Sequence, residues 1–331
     1  MAPQLAWLGL GNMGRGMAKN LAAKGSLATP LIIYNRNITR AQEFQAATPN
    51  TTIANTVSEA VTKSDIIFTC VGDDAAIQSI IDASIASGSP LTDKLFVDCS
   101  TVHPDTTTSI SEKLQAKGAR FVASPVFGAP PMAAAGQVIP VLAGPREAVE
   151  QVKPYTTGVI AKAVVDFSDQ PPAKASQLKI LGNTFVLGMV ESIAEGLVVA
   201  DKCGLGTDAL HQFFEAVFPG PYVAYSARMR SGDYHERKEP LFAVDLARKD
   251  ARHAMDLAGK VGARMKGIEL ADDYMAKVKE HMGERGDVAE PSNEAFSVNY
   301  EINITRQEIA KKRARLSELQ AELRNRPSVS A

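Results

Sequence analysis

The chain has 331 residues, 45 % of them apolar, and a formal net charge of -1 from 36 basic and 37 acidic side chains. That length supports two domains with a sizeable core, and the charge balance gives no electrostatic ground for binding nucleic acid or an anionic membrane. Small-molecule chemistry is the expectation. Cys70, Cys99 and Cys203 are widely spaced and form no CxxC pair, so neither a disulfide framework nor a zinc site is suggested, and a reducing, cytoplasmic setting fits. Patterned sequence starts at Leu5, which leaves no room for a signal or transit segment, and no run of about twenty uninterrupted apolar residues marks a membrane span.

Short apolar runs then alternate with helix-length segments: Leu5 to Leu10, Leu31 to Tyr34, Ile66 to Val71, Leu95 to Val97 and Phe121 to Ala123. Repeated βα units of this kind predict an N-terminal Rossmann domain, a doubly wound and mostly parallel sheet of the α/β class. Val138 to Ala143 and Val159 to Phe167 extend it, around a helix starting near Pro145. After Pro171-Pro172 the rhythm changes to one long helix ending near Gly204, apolar on nearly every side from Leu178 to Val190, as suits a helix buried between domains or subunits. Further helices are expected over Asp208 to Val217, Leu241 to Val261 and Leu270 to Lys279, so the C-terminal domain is all α. This gives residues 1–167 as a nucleotide-binding domain, 168–300 as a helical substrate and dimerisation domain, and 301–331 as a charged helix or tail. In that tail Ile302, Ile309, Leu316 and Leu323 recur at seven-residue intervals, but Thr305 and Lys312 interrupt the apolar seam.

Gly9-Leu10-Gly11-Asn12-Met13-Gly14 follows the first strand and opens a helix. Glycines permit a tight turn and close backbone approach, and the helix N-terminus offers unpaired N–H groups to a pyrophosphate, so these six residues are expected to bind a dinucleotide. After the second strand, where an NAD site usually carries Asp or Glu for the ribose hydroxyls, the chain has Asn35-Arg36. Removing the carboxylate removes repulsion of a 2′-phosphate, and Arg36 with Thr39 supplies donors for it. NADP(H) is therefore expected over NAD(H), the alternative being that Arg36 is an ordinary solvated arginine.

With Met17-Ala18-Lys19-Asn20-Leu21, Asp98-Cys99-Ser100-Thr101, Pro125-Val126-Phe127-Gly128, Lys179 with Asn183, and Lys249-Asp250 following in order, the chain resembles the β-hydroxyacid dehydrogenases over roughly residues 4 to 290. That family includes 3-hydroxyisobutyrate and 6-phosphogluconate dehydrogenases. The resemblance implies that Val71, Gly72 and Thr101 contact the cofactor and that Lys249 reaches its nicotinamide end. It also implies that Ser100, Phe127 and Gly128 line the substrate site, and that the subunits form a homodimer or tetramer through the helical domain. Two positions depart from the family pattern. Phe127-Gly128-Ala129 stands where Ser-Gly-Gly is common, which points to a more apolar substrate, and Gly182 stands where Asn or His precedes the matching Asn183, which removes a polar partner beside the reacting oxygen.

Lys179 and Asn183 lie four apart on one helix face among Leu178, Ile180, Leu181, Phe185 and Val186. A lysine there is costly unless paired or functional. Lys179 is expected to be the general acid and base and Asn183 to orient the substrate oxygen, with no metal: the five histidines show no ligand spacing. The expected reaction is reversible hydride transfer between NADPH and a small carboxylated aldehyde or ketone. Two alternatives stay open: an imine reductase or reductive aminase, and a non-enzymatic NADP-binding module that uses its C-terminal helix as a contact.

Overall fold

The computed structural model describes residues 2–290 and Leu316. Expectations about the charged segment 301–331 lie outside the described residues, apart from that one leucine. In chain order the first half runs β1 (Leu5–Leu8), α1 (Asn12–Lys24), β2 (Leu31–Tyr34), α2 (Ile38–Ala47), β3 (Thr51–Ile53), α3 (Val57–Thr62), β4 (Ile66–Thr69), α4 (Asp74–Ala86), β5 (Leu95–Asp98), α5 (Pro104–Gln115) and β6 (Arg120–Ala123). It continues through β7 (Val126–Phe127), α6 (Pro130–Ala135), β8 (Ile139–Gly144), α7 (Arg146–Val152) and β9 (Val165–Ser168). The strands form one sheet in the order β3-β2-β1-β4-β5-β6-β8-β7, with β9 beside β8. Neighbours from β3 through β6 are parallel, whereas β8 runs antiparallel to β6 and β7.

Both faces of this sheet are covered, and β1 shows why its sequence is continuously apolar. Leu5 and Trp7 join one buried cluster while Ala6 and Leu8 join the other, as the two-residue period of a strand buried on both sides requires. Trp7 stacks on Phe68 with ring centroids 5.5 Å apart, and its indole N–H donates to the Gly9 carbonyl at 2.9 Å. One core residue thus fixes both the strand and the loop that leaves it.

Several elements differ from expectation for local reasons. β1 stops at Leu8 because Gly9, at φ 104°, already turns the chain. Val159 to Ala161 do not lengthen β9; their three N–H groups all point to the Thr156 carbonyl, making a turn. β3 and β7 are only three and two residues long, too short to show a period.

The C-terminal part is helical: α8 (Ala173–Lys202), α9 (Thr207–Val217), α10 (Pro221–Ser231), the short α11 (Asp233–Glu236), α12 (Val244–Lys260) and α13 (Lys266–Met282). By length and composition α8 could cross a membrane, but 56 % of its most apolar window is buried within the protein, as in the core helix of a globular fold. Two compact units result among the described residues, 2–187 with 241–272, and 188–240 with 273–290. Strands give way to helices near residue 167, whereas the compact units divide α8 itself. The first half of α8 and all of α12 therefore belong to the same unit as the glycine loop.

Within that unit α1 packs closely on α6. A Cβ on Gly16 would stand 2.7 Å from the Ala134 nitrogen, and the buried Asn20 amide donates to the carbonyls of Ala133 and Ala134 at 2.9 and 3.0 Å. Asn20→Ala removes the side-chain donor of both carbonyls, leaving Ala133 with the Gly136 N–H at 3.2 Å, and is expected to cost about 2 kcal/mol, read as a lower denaturant midpoint. An unchanged midpoint would mean that water replaces the amide.

Candidate active site

The loops after β1, β4 and β5 all leave the carboxyl ends of parallel strands, where open α/β sheets hold their ligands. In the first loop, glycine is demanded at two of the three motif positions by the protein itself. A Cβ on Gly9 would lie 2.2 Å from the Cys70 carbonyl oxygen, and one on Gly14 2.2 Å from that of Gly9, whereas one on Gly11 would meet no heavy atom of the rest of the protein within 4 Å. Gly11 is the N-cap of α1 and carries no side-chain cap, so the first N–H groups of the helix are presented beside open space. Backbone donors, a dipole end and no Cβ together fit a pyrophosphate. Met13 packs inward against the core below the loop, and Asn12 is the first residue of α1.

Asn35 is engaged with the loop. Its side-chain oxygen accepts from the Leu10 N–H at 3.0 Å and its amide donates to the Asn37 carbonyl at 3.0 Å. Arg36 and Thr39 next to it are exposed.

The loops after β4 and β5 are joined through a buried carboxylate. Asp98 Oδ1 accepts from Thr69 Oγ1 at 2.8 Å, Ser100 Oγ at 2.6 Å and the Ser100 N–H at 3.1 Å. Burial pushes the Asp98 carboxyl up, against the lowering effect of these bonds. The Ser100 hydroxyl also accepts from the Val71 N–H at 2.9 Å, so its own proton is committed inside the protein. Gly72 follows in the exposed part of the same loop.

The third part of the site is a chain of hydrogen bonds between α8, α12 and the β5 loop. Lys179 Nζ donates to Asn183 Oδ1 at 2.7 Å, Asn183 Nδ2 donates to Asp250 Oδ2 at 2.7 Å, and Asp250 Oδ1 accepts from Lys249 Nζ at 2.9 Å. Lys249 also donates to the Thr101 carbonyl. Lys179, Asn183 and Asp250 are 7 %, 6 % and 3 % exposed, which makes this a buried network in which every link has a partner. Burial pulls the Lys179 amine down to about 8; Asp250 opposes the shift and Lys249 adds to it. The amine also lies 4.7 Å from the centre of the Phe127 ring, close enough for a cation–π attraction. Gly128, at φ 138°, turns the chain directly after that ring.

α12 is held in place by contacts of its own side chains. His253 Nε2 lies 3.3 Å from Asp74 and Asp256 lies 2.9 Å from His103 Nε2, which ties the helix to the starts of α4 and α5. Although burial pushes the Asp74 carboxyl up, bonds from His253, Thr106 and the His103 N–H hold it well below the usual carboxylate range.

Of the residues singled out from sequence, the structure joins Lys179, Asn183, Lys249 and Thr101 in one network, sets Phe127 against Lys179, links Ser100 to Val71 and links Leu10 to Asn35. Arg36 and Thr39 join none of these links. Asp98 and Asp250, which organise the two networks, were not singled out as site residues. A signal existed for Asp250: it falls on the buried face of α12 with Val244, Ala247, Ala251, Ala254 and Ala258, an acidic residue in an apolar stripe.

Residues 4–166 match the NAD-binding domain of 6-phosphogluconate dehydrogenase, and residues 173–293 the NAD-binding domain of NADP-dependent 3-hydroxyisobutyrate dehydrogenase. The NADH-dependent oxidoreductase ucdB of Aspergillus ustus is 36 % identical over 281 residues, covering 83 % of this chain and 93 % of that protein. The chain belongs to the β-hydroxyacid dehydrogenase family and is an NAD(P)-dependent oxidoreductase acting on CH–OH groups. Among solved structures, the Mycobacterium tuberculosis 3-hydroxyisobutyrate dehydrogenase with L-serine has a TM-score of 0.71 at 22 % identity, covering 88 % of this chain and 98 % of that one. An imine reductase from Pseudomonas sp. has a TM-score of 0.58 at 20 % identity, covering 87 % and 98 %. At those identities both are similar in fold alone.

Proposed function

We propose that this protein is an NADP(H)-dependent reductase of small carboxylated aldehydes or ketones, working in reverse as a β-hydroxyacid dehydrogenase, with Lys179 as general acid and base. The observation that carries this reading is the buried chain from Lys179 through Asn183 and Asp250 to Lys249. In this reading residues 1–167 carry the nucleotide and residues 168–300 the substrate side. The Gly9 to Gly14 loop, Val71, Gly72 and Thr101 would hold the cofactor, which when bound supplies or accepts the hydride.

The protein's own part is the proton. As charge develops on the substrate oxygen during reduction, the Lys179 ammonium donates to it; in oxidation the neutral amine accepts the proton. A pKa near 8 keeps both forms accessible close to neutrality. Asn183 aims the amine, since its oxygen holds Lys179 while its amide is anchored on Asp250. Asp250 keeps enough negative charge nearby that Lys179 stays mostly protonated at pH 7, and Lys249 fixes Asp250 against the β5 loop. Ser100 and Gly128 shape the wall of this space, Ser100 through Asp98 and Val71.

NADP(H) preference rests on Arg36 and Thr39, which are exposed beside the loop that Asn35 positions. Arg36→Ala is expected to raise the Kd for NADPH about 10- to 100-fold, the worth of one charge-assisted contact, and to leave NADH unchanged. Fluorescence titration of both cofactors checks this. The relative from A. ustus is named as NADH-dependent, and an equal effect of Arg36→Ala on both cofactors would place this chain with it.

The three unpaired cysteines support a reducing, cytoplasmic setting. Assembly through the helical half is supported by Leu181 and Phe185, neighbours on α8 that are 43 % and 79 % exposed. A second reading, reductive amination, is favoured by the Phe127 ring beside Lys179 and by the fold likeness to an imine reductase. NADPH oxidation with carboxy-aldehydes, keto acids and ketones, each with and without an amine, tests the two. Turnover without amine that collapses in Lys179→Ala supports the reductase; amine-dependent turnover that survives the substitution supports the second reading.

A further inference from the structure

Phe127 and Gly182 occupy each other's space. A Cβ on Gly182 would stand 2.4 Å from Phe127 Cε1 and 2.5 Å from its Cζ, far inside van der Waals contact. Only glycine at 182 leaves room for the ring where it lies. The ring is brought there by the pairing of β7 with β8, which sets Phe127 opposite Ile139, and by Gly128, whose φ of 138° disfavours any side chain. Positions 179, 182 and 183 are neighbours on the α8 surface, so the ring rests on the helix face that carries Lys179 and Asn183. Part of it packs on the core and the rest is open. The two departures from the family pattern are therefore one change made in two places.

The polar side chains of the two networks are already engaged. Ser100 gives its proton to Asp98, Asn183 donates to Asp250, and Lys249 donates to Asp250 and Thr101. Lys179 is the donor of this set assigned to the substrate, and it serves the reacting oxygen. A hydroxyl on the neighbouring substrate carbon would give up water against an aromatic face with no bond in return, whereas an apolar group would gain contact.

We propose that Phe127 and Gly182 form one interlocked specificity element, which selects carbonyl substrates bearing an aryl or branched-alkyl group next to the reacting carbon and rejects those bearing a hydroxyl there. The proposal rests on the reductase reading, which sets the substrate carbonyl beside the α8 face that carries Lys179.

The semialdehydes of phenylmalonate and hydroxymalonate share the reacting aldehyde and the carboxylate of a β-oxo acid and differ in the substituent on the carbon between them, so kcat/KM for the two with NADPH reads the element directly. The wild-type protein is expected to prefer the phenylmalonate semialdehyde by about tenfold or more. Phe127→Ser and Gly182→Asn should each abolish most of that preference, the second by driving the ring out. Because the two positions are in contact, their effects should not multiply. The double variant Phe127→Ser/Gly182→Asn should gain turnover of the hydroxymalonate semialdehyde and move the preference no further from wild type than either single variant does, about tenfold. NADPH binding reports folding; if Gly182→Asn fails to bind it, Gly182→Ala makes the same collision with a single methyl. Wild-type turnover of neither semialdehyde, equal turnover of both, or a wild-type preference in folded Gly182→Asn or Gly182→Ala overturns the proposal. If Lys179→Ala retains both turnover and preference, the assignment of Lys179 fails while the specificity element stands.

Discussion

Lys179→Met is expected to lower kcat/KM for carbonyl reduction by about 10²- to 10⁴-fold, the usual worth of a positioned general acid, while making the protein more stable. Both effects come from one fact. Lys179 is 7 % exposed, and its pKa, lowered mainly by burial, falls from the ordinary 10.5 to about 8. That lowering corresponds to roughly 3 kcal/mol against the charged form in the fold, so an isosteric apolar side chain removes a penalty as well as a proton. Leaving the Asn183 oxygen without its donor offsets part of the gain, and the net should appear as a melting temperature a few degrees higher.

The pH dependence of this advantage has a definite sign. Between pH 8 and 10.5 the unfolded chain binds more protons at Lys179 than the native chain does, so wild-type stability from this group rises with pH across that window. The advantage of Lys179→Met should therefore be full below pH 8 and shrink towards pH 10. Parallel guanidinium titrations of the two proteins check it. An advantage that grows with pH would mean that Lys179 is stabilised as the cation.

Asp250→Asn should be the most damaging conservative substitution outside Lys179. The carboxylate accepts from Asn183 and Lys249 on its two oxygens and is 3 % exposed. Neutralising it leaves Lys249 without its charge partner in a half-buried position, which is expected to cost about 3 kcal/mol of stability. Its second effect is chemical. Asp250 raises the Lys179 pKa, so its loss drops that pKa further below 8 and leaves less ammonium at neutral pH. The alkaline limb of the reduction profile should move to lower pH, with kcat at pH 7.5 down by about 10- to 100-fold. A purely structural role would lower stability and leave the limb where it was.

Legibility from sequence followed how locally each requirement is encoded. The nucleotide loop was readable because its constraints are backbone constraints, and a Cβ at Gly9 or Gly14 collides with main-chain atoms only a few residues or one strand away. Lys179 and Asn183 were readable because two polar residues at helical spacing stand out in an apolar helix. Asp250 completes their network from 67 residues downstream, and no local pattern expresses that pairing. Ser100 stood out in the sequence, but not that its hydroxyl is spent on Asp98. Phe127 and Gly182 each stood out as departures, while the collision that makes them one feature exists only once β7 is laid against α8. In the fold, α10 escaped notice because its residues show no apolar stripe, and β3 and β7 because two or three residues carry no period.

Whether Lys179 moves the proton in carbonyl reduction is read from the pH dependence of kcat in wild type and Lys179→Met, with NADPH and with its deuterated form, so that the hydride step is the one observed. The wild-type rate should fall above a midpoint near pH 8, and the residual rate of Lys179→Met should be independent of pH across that range. The same alkaline limb in both proteins would contradict the account and assign the proton to another group.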